Sequence, residues 1–326
     1  MKKVLFLSLV VCLLFTGFSI WGKEKLGDDP FVVVLGTAQD VGYPHAGCKK
    51  ECCLRAWKNS SLRRLICSIA VVDPLTKERW IIDPSPNFIE QWMLLEDTYP
   101  FLPKVVDKNV PLYDCLKVSG FLPTHAHIGH YPGMMFIGRE GIGANGVPVY
   151  AMPRMSEFLQ NNGPWNQLVN LNNITIYPIQ ENVTFNLNNR ISVTAMRVPH
   201  RDEYSETVGF IVQGPNKSFA YISDINKWEV WERRIEDVVA QVDYAFLDGT
   251  FYGEGEIPGK SIEEIPHPFV VETMKIFDTF PLSERNKIYF VHLNHTNPLL
   301  NPKSKERKLV KKAGYNLPDD GTVLGL

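Results

Sequence analysis

Between Pro123 and Gly133 the chain reads PTHAHIGHYPG, which places His125, His127 and His130 within six positions of a chain that has 8 histidines among 326 residues. Imidazole is a preferred ligand of zinc and of neighbouring transition metals. On an extended segment, residues two apart point the same way, so His125 and His127 can face one ion. His130 follows after the chain has begun to turn toward a helix, and it can face a second point a few ångströms away. Two ions about 3.5–4 Å apart would suit such a set. The plainer alternative is three polar residues on a surface loop, against which stands the context of strand, Pro-Gly and helix.

Further groups of this chemistry occur at the ends of apolar runs. His200 closes ISVTAMRVPH, Asp224 closes YISD, and KIYFVHLNH carries His292 and His295. His292 is preferred as a ligand because it lies on the strand proper. Asp224 has the alternative role of a helix N-cap. Asp248, in LDGT, reads as a turn residue or as a carboxylate that orients a ligand. His267, in IPHPF, reads as an ordinary loop residue. A separate group, HAGCKKECC, offers His45, Cys48, Cys52 and Cys53. It fits a structural metal site of looser spacing than Cys-x-x-Cys pairs or a disulfide, although the adjacent Cys52 and Cys53 make full pairing awkward.

The elements that must position these residues are legible from their patterning. FVVVLG is a buried strand running into a loop, and CSIAVVD with RWIIDPSP forms a hairpin. NFIEQWMLLE has helical spacing. VSGFLPTH is a strand that ends at the histidine cluster, and Pro132 opens a short helix closed by glycine. VPVYAM and ISVTAMRVPH are strands, ETVGFIVQGPNKSFAYISD is a hairpin, and WEVWERRIEDVVAQV is an amphipathic helix. DYAFLDGTF and KIYFVHLNH are the last strands, with a basic helix after them. There is no fixed repeat and no linker after residue 30. The pattern predicts one α+β or α/β domain of two sheets with helices outside. His125, His200, Asp224 and His292 then fall at strand ends, where loops on a rigid frame can converge.

A hydrophobic content of 44% suffices for a large core, and a net charge of -2 without long basic runs gives no support for nucleic-acid binding. The basic stretch Pro302–Lys312 reads as a solvated helix face. Met1-Lys2-Lys3 followed by an apolar run and small residues resembles a secretory signal peptide over residues 1–22, with an uncleaved membrane anchor as the alternative. Either would send the body of the chain to the exported side, periplasmic or extracellular. Removal of the leader takes Cys12 and leaves five cysteines, an odd number.

THAHIGH resembles the His-x-His-x-Asp-His signature of the metallo-β-lactamase-fold hydrolases, and the order of elements over about residues 31–326 agrees. VLGTAQDVGYPHAGCKKECC, FLDGTF and VHLNHTNPLL are similar to the pyrroloquinoline-quinone biosynthesis protein B branch. The resemblance implies a four-layer αββα sandwich over residues 30–326, with two mixed sheets and helices outside. It implies Zn2+ as cofactor, as one or two ions with Fe or Mn as alternatives. One ion would be held by His125, His127 and His200. The other would be held by His130, Asp224 and His292, with Asp224 bridging and His295 and Asp248 as further candidates. Asp224 and His292 would also serve catalysis. Gly129 stands where that signature has its aspartate, which leaves the second ion one carboxylate short unless glycine is there for a left-handed backbone. The implied activity is hydrolysis of an ester, phosphodiester, lactone or similar bond in a small molecule. An iron-dependent oxidative enzyme related to quinone-cofactor synthesis and a non-catalytic binding protein, with Gly129 as its mark, are the alternatives.

Overall fold

The computed structural model describes residues 27–326 except 102, 104, 117, 258 and 260–263; the leader expected over residues 1–22 lies outside the described residues. Among the described residues no helix is long and apolar enough to cross a membrane.

Six strands come first: β1 (Phe31–Gly36), β2 (Ser68–Asp73), β3 (Glu78–Ile82), β4 (Gly120–Leu122), β5 (Val147–Ala151) and β6 (Ile174–Pro178). Six more follow: β7 (Thr184–Asn186), β8 (Ser192–Arg197), β9 (Val208–Gln213), β10 (Ser218–Ile222), β11 (Tyr244–Asp248) and β12 (Ile288–Val291). The chain closes with β13 (Val323–Gly325). They form a seven-stranded sheet in the order β13-β1-β2-β3-β4-β5-β6 and a six-stranded sheet in the order β12-β11-β10-β9-β8-β7. Both sheets are mixed. The β-branched and aromatic residues of β1, β2 and β10 are buried on both faces, which gives the continuous apolar runs seen in the sequence.

One apolar core, with Phe31, Val33, Phe121, Phe210, Tyr221 and Phe246, joins the two sheets and continues to the helices outside the first. A second core, with Ala220, Val239, Phe277, Phe290 and Leu299, packs helices on the outer face of the second sheet. The architecture is therefore helix, sheet, sheet, helix, as expected. Two elements differ. The helix expected from Trp228 to Val242 breaks into a 3-10 turn, Trp228–Val230, which buries Trp228, and a short helix, Ile235–Ala240, which buries Ile235, Val238 and Val239. The helix opened by Pro132 is a 3-10 helix, Pro132–Ile137, capped by Gly138.

Strand direction decides where the chemistry collects. β3 and β4 are parallel, and β1 reaches β3 through two antiparallel pairings, so all three run the same way. β10, β11 and β12 are parallel, and β8 reaches β10 through two antiparallel pairings. The carboxyl ends of each set therefore share one edge of their sheet, and the side-chain contacts below bring the two edges together.

Candidate metal centre

Each functional side chain stands at or just beyond the carboxyl end of a strand. His125, His127 and His130 follow β4, His200 follows β8, Asp224 follows β10, Asp248 ends β11 and His292 follows β12. Two further carboxylates arrive by the same rule, Asp40 after β1 and Asp83 after β3. Two of these positions carry backbone strain: Asp83 has φ 56° and His292 has φ 61°, a left-handed conformation uncommon for residues other than glycine.

The rings form two groups. His125, His127, His200 and Asp224 offer ligand atoms that all lie within 4.8 Å of one another, and Asp40, His130 and His292 do the same. Asp224 joins them. Its Oδ2 lies 3.3 Å from His200 Nε2, 3.5 Å from His125 Nε2, 3.7 Å from His130 Nε2 and 3.9 Å from His292 Nε2. One carboxylate oxygen thus faces four imidazole nitrogens drawn from both groups.

The outer hydrogen bonds fix which nitrogen each ring presents. His125 Nδ1 is 2.9 Å from Thr124 Oγ1, and His130 Nδ1 is 2.9 Å from Asp83 Oδ2. Thr250 Oγ1 donates its proton to Asp248 Oδ1 at 2.6 Å and lies 2.9 Å from His292 Nδ1, so it accepts from that ring. Each of these three rings therefore turns Nε2 inward. His127 differs: its Nε2 is held by Glu203 Oε2 at 2.8 Å, and its Nδ1 faces His200 Nε2 at 3.2 Å. A ring fixed by a partner on one nitrogen, with the other left free, is the usual arrangement of a metal-ligating histidine. Asp83 also accepts from the Thr124 backbone N–H, the Tyr221 hydroxyl and the Ser223 hydroxyl, which makes it a fixed support.

Apart from His127 Nδ1 and His200 Nε2, which face each other, the inward atoms are without partners. Asp40 Oδ1, His125 Nε2, His130 Nε2, Asp224 Oδ1 and His292 Nε2 are buried and form no sound hydrogen bond. Buried polar atoms are seldom left so, and the atoms concerned are nitrogen and carboxylate donors converging on one space, a set that divalent transition metals accept. Burial holds His125 down at about 3, so that ring is neutral with a free lone pair. Burial also opposes charge on His130, but Asp83 and Asp40 beside it raise it well above the ordinary histidine value. Asp224, despite its burial, is held well below the ordinary carboxylate range by His267 and His292 first among its neighbours.

Three of these residues lie outside the expected set. His267, expected as a loop residue, sits 2.9 Å by Nδ1 from Asp248 Oδ2 and 3.3 Å from Asp224 Oδ1. Against burial, Asp248 and Asp224 raise it to about 9. Nothing in IPHPF marks it, because the contact exists only after the loop folds back. Asp83 and Asp40 were legible as carboxylates following apolar runs, in WIIDP and VLGTAQD, the same signal that marks Asp224. Asp248 accepts from Thr250 N–H, Thr250 Oγ1–H and Ile225 N–H, which fits the orienting role rather than ligation.

The expectation that Gly129 leaves the second group short of a carboxylate is corrected. Asp40 Oδ1 lies 3.2 Å from His130 Nε2 and 3.6 Å from His292 Nε2, nearer to both rings than Asp224. Gly129 is not in the left-handed region either, so the backbone explanation also falls.

The cysteines form a second cluster. Cys48, Cys52, Cys53 and His295 are mutually within 4.8 Å. His295 Nδ1 lies 3.4 Å from Cys53 Sγ and 3.7 Å from Cys52 Sγ. The fourth member is thus His295 and not His45, whose ring instead packs on His295 at 4.5 Å. His295 is thereby separated from the centre that holds His292. The disulfide alternative is not met: all five described cysteines are free, and Cys48 and Cys52 sulfurs are 3.8 Å apart.

Residues 78–293 match the family model described as a β-lactamase superfamily domain. Coenzyme PQQ synthesis protein B of Xanthomonas oryzae pv. oryzae is 26% identical over 319 residues, covering 90% of this chain and 99% of that protein. Among solved structures, Zn2+-bound PqqB from Methylobacterium extorquens superposes with a TM-score of 0.71 at 24% identity, over 91% of this chain and 100% of that one. A diphosphatase from the PhnP family gives 0.59 at 20% identity, over 91% and 97%.

Proposed function

The chain belongs to the β-lactamase superfamily, on its PqqB-like branch, and from that premise we propose that it is a metal-dependent hydrolase acting on an ester, phosphodiester, lactone or similar bond. The observation that carries this reading is the convergence of four imidazole nitrogens on Asp224 Oδ2, three of them, on His125, His130 and His292, buried and unpartnered. His125 Nε2, His127 Nδ1 and His200 Nε2 would hold one ion, and His130 and His292 a second, with Asp224 between them. Divalent ions at such a centre supply a nucleophilic water at neutral pH and a Lewis acid for the carbonyl or phosphoryl oxygen.

The chain's own residues do the remaining work. Thr124, Asp83 and Thr250 orient His125, His130 and His292, and burial of all three rings excludes bulk water. His127 and Glu203 form the accessible side, so substrate would enter there. His267 Nδ1–H donates to Asp248 Oδ2 and lies 3.3 Å from Asp224 Oδ1, which places a group able to transfer a proton beside the centre. Cys48, Cys52, Cys53 and His295 would hold a separate structural ion.

The test is metal content together with turnover on a panel of esters, lactones and phosphodiesters. His127→Ala should lose metal from the first group and at least about 100-fold in turnover. Its Tm should fall, because bound metal stabilises the folded state by linkage. Full occupancy and full turnover in His127→Ala would refute the reading. A second reading, an iron-dependent oxidative enzyme, takes from the similarity to coenzyme PQQ synthesis protein B only the setting of quinone-cofactor synthesis, and two histidines with one carboxylate, as in His130, His292 and Asp40, are a donor set that iron also accepts. Iron recovered after anaerobic purification, with oxygen consumption and no hydrolysis on the panel, would select it.

A further inference from the structure

Asp40 packs directly against the backbone of Gly129. A Cβ built on Gly129 would lie 2.2 Å from Asp40 Oδ1, 3.0 Å from its carboxyl carbon and 2.8 Å from its Cα. Any side chain at position 129 would therefore overlap the Asp40 carboxylate. That carboxylate passes through the space the glycine leaves and brings Oδ1 to 3.2 Å from His130 Nε2 and 3.6 Å from His292 Nε2. Both ring nitrogens and Oδ1 are buried without a sound hydrogen bond.

The backbone fixes this approach. Gln39 N–H donates to Leu293 O at 2.9 Å, and Leu293 N–H donates to Thr37 O at 2.8 Å, so the segment leading to Asp40 is bonded to the residue after His292. Ala38 N–H and Thr37 N–H both donate to Leu65 O, and Gly36 passes so close to Ile66 O that a Cβ there would be 1.9 Å from it. The pairing of β1 with β2 shifts register between Val34 and Gly36, and the chain then continues along Leu65 and Ile66 to Asp40.

We propose that Asp40 is a metal-ligating carboxylate of the second ion and that Gly129 is the opening through which it reaches that ion. The proposal rests on the metal-centre reading above and deepens it. His130, His292 and Asp40 form a two-histidine, one-carboxylate set from three different strand ends, with Asp224 shared. Gly129 contributes no donor; its function is the absence of a side chain.

The test loads the purified full chain with Zn2+ or with Co2+, removes unbound metal, and counts ions per chain. Asp40→Ala should lose about one ion, while the thiolate-to-cobalt absorption of the cysteine cluster stays, which reports an intact fold. Asp40→Asn keeps a hydrogen-bonding partner for His130 but not the charge, and it should weaken the same ion by at least about tenfold. Gly129→Ala removes no donor, yet it should lose the same ion by displacing the Asp40 carboxylate. Asp40→Ala or Asp40→Asn binding that ion with wild-type affinity would overturn the proposal. So would Gly129→Ala with a wild-type count. His127→Ala separates the two levels: if it keeps every ion that wild type holds, the metal-centre reading itself has failed, whereas a loss there with no loss in Asp40→Ala rejects Asp40 alone.

Discussion

Asp320 illustrates how a residue remote from the chemistry is tied to it. Its carboxylate accepts from Leu65 N–H at 2.8 Å and from Thr37 Oγ1–H at 3.1 Å, and so supports the segment that delivers Asp40. Burial raises it from 3.8 to about 6. A carboxylate whose folded value is raised binds its proton more tightly in the folded chain. The stability it contributes is complete below about pH 4 and is lost as pH rises through about 6. Asp320→Asn carries no charge, accepts from Leu65 N–H through Oδ1 and donates Nδ2–H to Thr37 Oγ1 in place of accepting from it, so its Tm relative to wild type should rise between pH 4 and 7. The gain corresponds to at most about 3 kcal/mol for a shift of about two units. Thermal melts of both metal-loaded proteins across that range check it; a difference in Tm independent of pH would remove the explanation. At Gly129 the same scale corrects the sequence expectation: the missing side chain is matched by one arriving from another part of the chain.

Among the elements, the loop after β12 has two anchors. His292 turns into the histidine centre, and three residues later His295 reaches the cysteine cluster at the start of the helix Glu51–Lys58. An ion held by Cys48, Cys52, Cys53 and His295 would fasten that loop and with it His292. Burial pushes the Cys53 thiol up to about 12, a cost that an ion removes by binding the thiolate. Cys53→Ala should lose about one ion per chain that is distinct from the ions lost in His127→Ala, and Tm should fall on the order of 5–10 °C. Cobalt loading would show the loss as disappearance of the thiolate absorption. An unchanged absorption would exclude Cys53 as a ligand.

On the scale of the whole molecule, the proposal of export concerns residues 1–22 and the cellular side on which hydrolysis would occur. Lys2 and Lys3 before an apolar run, with small residues at Gly17, Ser19 and Gly22, motivate cleavage. Intact-mass analysis of protein from its native host should give a chain starting between about residues 18 and 24. A chain starting at Met1 and recovered from the cytosol would reject export. It would also bring the chain's setting closer to a cytosolic synthetic role.

The sequence alone determined the sandwich and most of the residues at its edge. Apolar runs of strand length that end in His or Asp are local patterns, and each strand carries its own terminal residue to the same edge once directions are set. Thus His125, His127, His130, His200, Asp224 and His292 were legible as a group. Local pattern also exposed the three cysteines, but His45 looked like their partner because it is near in sequence, whereas His295 is near only in space. The interrupted helix after Trp228 escaped the pattern because apolar spacing does not record where packing ends a turn. Only the tertiary structure decided the rest. The bonding of residues 37–39 to Leu65 and Leu293 sets Asp40 against His130 and His292, and the folding back of the loop sets His267 on Asp248 and Asp224. These contacts join residues far apart in the chain, and their energies depend on burial and on neighbours that no local window contains. The gap at Gly129 acquires its meaning from the same source, because the space left by one residue is defined only by the side chain that fills it.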